Sequence, residues 1–336
     1  MRKYYLMTVT ESGPNLNPGC HFITHGIRHL IHRADPEALI LEAALFKHDQ
    51  DQWAAMLEEA DAILLCGNPR FDRSDDQQYW VSQIWEDFKT ARARGILTGD
   101  LFGGTASPLP IDKPSDEAKK LMVYQRNRIT AQEQGALDCL VCRDKAAMHI
   151  AQQNHPAPLL FPCSAFWAGD CLKINPGEKK WNAITIPSQN CTPKLIRELQ
   201  KLAAIIPNSL PTFMVAHEVR EFLLMRETLS DQHNLLLLSD PVTLLRFYAH
   251  TSHLISCRLH GSTPALGVGA SVLNIATDTR SSAADLFGIR SIPYTAVVDG
   301  KVNGFFQKID SEGRPSEKAF VDYFQKTIVN KIKKGG

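Results

Sequence analysis

Short, largely apolar runs recur along this chain, and most are followed by a stretch with helical spacing. The runs are Tyr4–Thr10, Ala62–Cys66, Leu137–Cys142, Asn182–Pro187, Thr212–Ala216, Leu235–Leu238, His253–Cys257 and Ser271–Ala276. Strands that are apolar at nearly every position, rather than at alternate ones, are buried on both faces, which is the signature of parallel sheets covered by helices. Helices are expected near Phe22–His32, Asp51–Glu59, 77–94, Asp144–Gln153, Pro193–Ile205, Glu218–Leu229, Pro241–His250, Thr263–Gly267 and Ser316–Lys333. Thr192 and Asp240 stand at the cap positions of two of these, each with proline next, the residue order that favours a helix start.

The turn-rich stretch Gly169–Trp181 divides the series in two. At 336 residues the chain has room for two domains. The expectation is α/β: two Rossmann-like doubly wound domains facing a cleft, residues 1–172 and 173–336. In that architecture ligands bind at the carboxyl ends of the strands.

The formal net charge of +1 gives no reason to expect a nucleic-acid partner. No apolar stretch reaches the roughly 18 residues of a membrane span, and MRKYYLMTVTESG is too polar for a signal segment, so a cytoplasmic protein is expected. The basic tail KTIVNKIKKGG suits the end of a helix. Of the eight cysteines, Cys139 and Cys142 form a single CxxC whose thiols would point to opposite faces of a strand. No second cysteine or histidine pair completes a zinc set.

Chemistry-bearing residues collect where strands end. Arg258 and His260 follow HLISC, and Gly261, Ser262 and Thr263 come next, opening a helix. An arginine fork beside a helix N-terminus suits an anion, and a histidine moves protons near neutral pH. With extended backbone the two side chains would share one face. An arginine paired with a neighbouring carboxylate is the competing reading. Asn15, Asn17 and Gly19 precede the first helix, Gly67 follows AILLC, and His217 and Glu218 follow TFMVA. Arg143 stands ready for an anion or a structural carboxylate, and Asp144 reads as a helix cap. There is no GxGxxG fingerprint.

The segment SDPVTLLRFYAHTSHLISCRLHGSTPALGVGASVLNIATDTR resembles the signature region of the polysaccharide pyruvyl transferase family, through Ser256, Arg258, Leu259, His260, Gly261, Ala265 and Gly267. CRDKAAMHIAQQNHPAPLLFPCSAF and NPGCHFITHGIRHL follow the family's order of segments less specifically. The resemblance implies a fold like that of GT-B glycosyltransferases. It also implies a transferase that moves pyruvate from phosphoenolpyruvate onto a pair of sugar hydroxyls as a ketal, in exopolysaccharide or cell-envelope biosynthesis. Arg258 and His260 would be catalytic. Leu259, Gly261, Ser262, Arg143, His217, Asn17, Gly19, Gly67 and Arg280 would line the substrates, Arg280 standing where a lysine is usual. Phosphoenolpyruvate would be a co-substrate, with no metal and no organic cofactor. The second domain would take the donor and the first the saccharide acceptor, with peripheral contact to a membrane-bound glycan assembly. Cys20, Cys163 and Ser164 depart from the pattern. Two other readings remain open: a GT-B glycosyltransferase using a nucleotide sugar, and a catalytically inactive glycan-binding relative.

Overall fold

The computed structural model describes residues 1–8, 17–45, 50–67, 79–105, 135–153, 155, 157–187, 191–229, 234–289, 291–302, 306–309 and 312–335. Asn15 and the outer ends of the expected Tyr4–Thr10 strand and 77–94 helix lie outside these residues. The chain forms two compact units. Unit 1 contains Met1–Thr10, Ile27–Ser164 and Ser316–Gly336; unit 2 contains Glu11–Gly26 and Ala165–Pro315.

Unit 1 runs β1 (Arg2–Thr8), α1 (Pro18–Ala34, whose first turns group with unit 2), β2 (Ala38–Ala44), α2 (Gln50–Glu59), β3 (Ala62–Cys66), α3 (Tyr79–Ala93), β4 (Leu97–Gly103), β5 (Cys139–Cys142), α4 (Lys145–Ala151) and β6 (Leu159–Leu160). The six strands are parallel in the order β2-β1-β3-β4-β5-β6. One face buries Met7, Ile63, Leu65, Leu140 and Cys142 against Trp85 and Phe88 of α3 and Ile150 of α4. The register of β4 slips between Leu101 and Gly103, where Phe102 takes φ 64, a left-handed conformation unusual for a bulky residue.

Unit 2 runs α5 (Ala168–Leu172), β7 (Trp181–Thr185), α6 (Pro193–Lys201), β8 (Thr212–Ala216), α7 (Val219–Thr228), β9 (Leu235–Leu237), α8 (Pro241–Ala249), β10 (Thr251–Ser256), α9 (Leu259–Gly267), β11 (Ser271–Ala276), a 3-10 segment (Thr279–Phe287), β12 (Ile292–Pro293) and α10 (Tyr294–Val298). Its parallel sheet has the order β12-β11-β10-β7-β8-β9. Ile184, Ala216, Ile255 and Leu273 pack on Leu195, Ile196 and Leu199 of α6 and Met225 of α7.

The units differ from a single division at residue 172. The C-terminal α11 (Lys318–Phe324) belongs to unit 1 because of aromatic burial. Phe320 stacks on Phe102 with ring centres 5.8 Å apart, and Phe324 meets Tyr4 at 5.9 Å. A π-turn over Gln325–Val329 follows, then α12 (Asn330–Gly335). The Tyr323 hydroxyl accepts from the Leu140 amide at 3.0 Å and sits 3.0 Å from the Ala157 carbonyl. Burying rings of this size contributes about 1.5–3 kcal/mol each, which outweighs the ordering of one short helix.

The CxxC thiols divide as alternation requires. Cys142 joins the core under α3 and α4, while Cys139 faces Tyr323 and Thr327, and burial pushes its thiol up to about 12. Every cysteine is a free thiol. Among the described residues no helix is long and apolar enough to cross a membrane.

Candidate functional site in unit 2

The strand order of unit 2 reverses between β7 and β10: β8 and β9 continue on one side, β11 and β12 on the other. A parallel sheet opens a crevice at the carboxyl ends of the two strands flanking such a reversal. Arg258 stands at that point. The Thr185 hydroxyl at the end of β7 donates to Ser256 Oγ at the end of β10, 3.0 Å away. Ser256 Oγ donates to the Arg258 carbonyl at 2.9 Å and accepts from its amide at 3.2 Å. Arg258 Nε donates across the crevice to the Ile186 carbonyl at 3.2 Å.

The guanidinium is committed to carboxylates. Its Nη2 pairs with Glu221, in direct contact, and with Glu218 at 3.7 Å. Burial pulls the group down to about 10 while Glu218 opposes the shift, so it stays charged at neutral pH. Arg280 lies within electrostatic reach of Arg258, yet its own fork closes on Asp278. Three carboxylates thus face two guanidiniums, and the cluster presents no spare positive charge to an anion. The paired-arginine reading describes Arg258.

His260 is oriented by the helix, which corrects the expectation from extended backbone. Arg258 is extended (φ −130, ψ 130), but α9 begins at Leu259, four residues before the expected Thr263. The Arg258 carbonyl accepts from Gly261 and Ser262 amides at 3.0 and 2.9 Å, which starts the helix early. His260 lies against α1. A Cβ built on Gly19 would sit 2.6 Å from His260 Nδ1 and 2.7 Å from its Cβ. Glycine is required there because no side chain fits. Asn17 caps α1: its Oδ1 accepts from Gly19 N at 3.0 Å, and its carbonyl accepts from Cys20 N at 3.0 Å. Two helix N-termini, of α1 and α9, meet at the His260 ring. Both concentrate positive potential there.

Several expected substrate contacts are instead the framework under this point. Leu259 is buried in the apolar interior. A Cβ on Gly261 would lie 2.6 Å from Ser256 Oγ. Ser262 Oγ bonds the Arg258 carbonyl at 3.1 Å and Asn274 at 2.6 Å; Asn274 continues to Ser291 at 2.7 Å. His217 is 2 % exposed. Its Nε2 is 2.9 Å from the Tyr248 hydroxyl, and its amide donates to Glu221 at 2.9 Å. Burial, then the charge of Arg258, holds the imidazole well below its ordinary range, so the ring is neutral. Sequence reading gave no role to Glu221 or Tyr248. A glutamate three residues after Glu218, on the first turn of α7, was the available signal for the former.

Arg143 and Gly67 belong to unit 1. Arg143 is 1 % exposed and donates Nη1 to the Gly67 carbonyl at 3.0 Å. Gly67, at φ 66, needs its glycine to turn out of β3. Among the described residues no group of three histidine, cysteine or acidic side chains is placed to hold a metal ion.

No protein-family model and no curated protein matches the chain. Solved structures do match in fold. S. aureus MnaA, solved with UDP, aligns over 89 % of this chain and 87 % of its own at 12 % identity, with a TM-score of 0.51. The Methanocaldococcus jannaschii UDP-GlcNAc 2-epimerase, in complex with UDP-GlcNAc and UDP, aligns over 96 % of this chain and 99 % of its own at 7 % identity, also with a TM-score of 0.51. Two six-stranded parallel sheets with their helices make this the GT-B fold.

Proposed function

We propose that this chain is an enzyme acting on a nucleotide-linked sugar, with the phosphates held in unit 2. The observation that carries the reading is the meeting of the α1 and α9 N-termini at His260, made possible by Gly19. Helix N-termini hold phosphate through backbone N–H groups and need no free arginine. That suits a crevice whose arginines are already neutralised. Glu218, partly exposed and only loosely engaged by Arg258, is a carboxylate of the kind that binds ribose hydroxyls in sheets of this strand order. His260 is the group that would move a proton at the sugar. The solved structures of like fold carry UDP or UDP-GlcNAc, which supports this ligand class.

Pyruvyl transfer from phosphoenolpyruvate is the second reading. It is favoured by the order Ser256, Arg258, Leu259, His260, Gly261 at the crevice. It asks Arg258 to leave Glu221 or to act on the donor while paired.

A thermal-shift titration with UDP and with phosphoenolpyruvate, on wild type and Gly19→Ala, separates the two. A ligand at 100 times its Kd adds about 2.7 kcal/mol of stability. The first reading expects a shift with UDP that Gly19→Ala abolishes. A shift with phosphoenolpyruvate alone overturns it in favour of pyruvyl transfer. Glycan binding with neither shift favours the catalytically inactive relative.

A further inference from the structure

Unit 2 holds a cavity of about 160 Å³, open to solvent on one side, between its sheet and the end of α6. The sheet makes the floor. Ile184 of β7, Met214 of β8 and Leu235 of β9 are direct partners across the two strand pairs, so their side chains share a face. Thr212, two residues before Met214, stands on that same face at the start of β8. The roof is Gln200 in the last turn of α6 and Ala203 in the 3-10 turn Leu202–Ile205 that follows. Asn234, just before β9, completes the rim. Thr212 and Asn234 lie at the amino ends of their strands, whereas Arg258 follows the carboxyl end of β10. The cavity is therefore separate from the crevice.

The hole has a local cause. Leu195, Ile196, Leu199 and Leu202 fill the layer beneath α6, but the next position, Ala203, brings only a methyl. Native interiors leave few voids larger than a water molecule. This one matches in size the engineered cavity of about 150 Å³ that takes up benzene. Its lining selects the occupant. Ile184, Ala203, Met214 and Leu235 are apolar, and the Met214 thioether packs well on aromatic rings. No lining residue is charged, so an ion would lose its hydration there without a counter-charge. Among the described residues the side-chain amides of Gln200 and Asn234 make no hydrogen bond, and the Thr212 hydroxyl meets only the Asn182 amide, at 3.5 Å. A polar substituent at the rim can bond to them.

We propose that this cavity is a binding site for a small, neutral aromatic ring carrying one hydrogen-bonding substituent. The ring lies over Ile184, Met214 and Leu235, and the substituent meets Gln200 and Asn234.

The full chain, labelled at its methyl groups, is titrated with phenol, benzamide, toluene and benzoate and followed by two-dimensional NMR. Phenol and benzamide should shift the methyl signals of Ile184, Ala203, Met214 and Leu235 and reach saturation, because an aromatic ring displaces the resonances of methyls beside it. Benzoate should bind at least about tenfold more weakly than benzamide. Ala203→Leu fills the cavity from its roof and should abolish the shifts at an unchanged or higher thermal midpoint. Gln200→Leu should weaken phenol and benzamide about fivefold and leave toluene unchanged. Shifts in the wild type that never saturate or that fall on other methyls overturn the site, as do shifts that survive Ala203→Leu. Benzoate binding as tightly as benzamide overturns the choice of a neutral ring. Equal weakening of toluene by Gln200→Leu overturns the hydrogen-bonding role of Gln200.

Discussion

In unit 1 Arg143 follows β5 and precedes α4; in unit 2 Arg258 follows β10 by one residue and precedes α9. Arg143 is buried and the Arg258 side chain is 9 % exposed, but the helix starts after them are finished differently. Asp144 caps α4, taking the Ala147 amide at 2.7 Å on Oδ1 and the Thr105 amide at 2.9 Å on Oδ2. Arg143 is packed so closely that a Cβ on Gly104 would fall 2.3 Å from its Nε. Arg258 occupies the cap position of α9 itself, and no side chain caps that helix. Its guanidinium is drawn sideways to Glu221 and Glu218. A helix start closed by an aspartate is structural. One whose cap residue is a cation that looks elsewhere has no side chain on its first N–H groups, the feature on which the proposed function rests.

The strongest test of this contrast is Arg258→Met. It leaves Glu221 buried beside no cation, and should cost about 4 kcal/mol in chemical denaturation. The double change with Glu221→Gln should recover most of that loss. Equal stability of the single and double variants would show that the pair does not hold the crevice. An Arg258 variant that loses activity is therefore uninterpretable unless its stability is measured beside it.

Gly19→Ala comes next. The new methyl displaces His260, costing about 2 kcal/mol. It should abolish ligand binding in unit 2, whereas Gly95→Ala, where a Cβ meets open space but φ is +82, should weaken stability without touching binding.

Acid separates the units by their titrating groups. His217 has a folded value below its unfolded one, so its contribution is complete above about pH 6.5 and shrinks by about 1.4 kcal/mol for each unit below that. For Asp35 in unit 1, burial raises the carboxyl, but hydrogen bonds from Arg2 and the Tyr4 hydroxyl outweigh it and the net shift is downward. Its contribution is present above about pH 4 and lost below as pH falls through the folded value. Hydrogen exchange between pH 6.5 and 4.5 should show unit 2 loosening first, and His217→Gln should remove the difference. Loosening of both units together would break the comparison. The smallest expected effect is Asp144→Ala, about 1 kcal/mol for the lost cap of α4, with binding in unit 2 unchanged.

Much of the fold was legible. All eight of the apolar runs became strands within two residues of the expected ends, because a segment buried on both faces has few polar positions to confuse it. Strand β2 was not anticipated: ALILEAA has good helix formers and a glutamate, and only its pairing with β1 makes it a strand. The early start of α9 was hidden for a related reason. Leu-His-Gly-Ser-Thr has weak helix propensity, and the turn is set by the Ser256 hydroxyl holding Arg258 in place. Asn17, Gly19 and His260 were each visible as candidates, but their adjacency was not.

By itself the sequence determined the class of architecture, parallel sheets wrapped by helices, and the strand ends at which chemistry had to be sought. Local periodicity carries that information, since burial on one or two faces is written into each segment. Tertiary structure alone decided the order of the strands, and hence that the sheet of unit 2 reverses between β7 and β10 at Arg258. It also decided that Arg258 would meet Glu221 while His260 met Gly19, although the arginine and histidine are two residues apart. Equivalent apolar strands pair in many orders at similar energy, and what selects one is long-range packing that no short stretch of sequence contains.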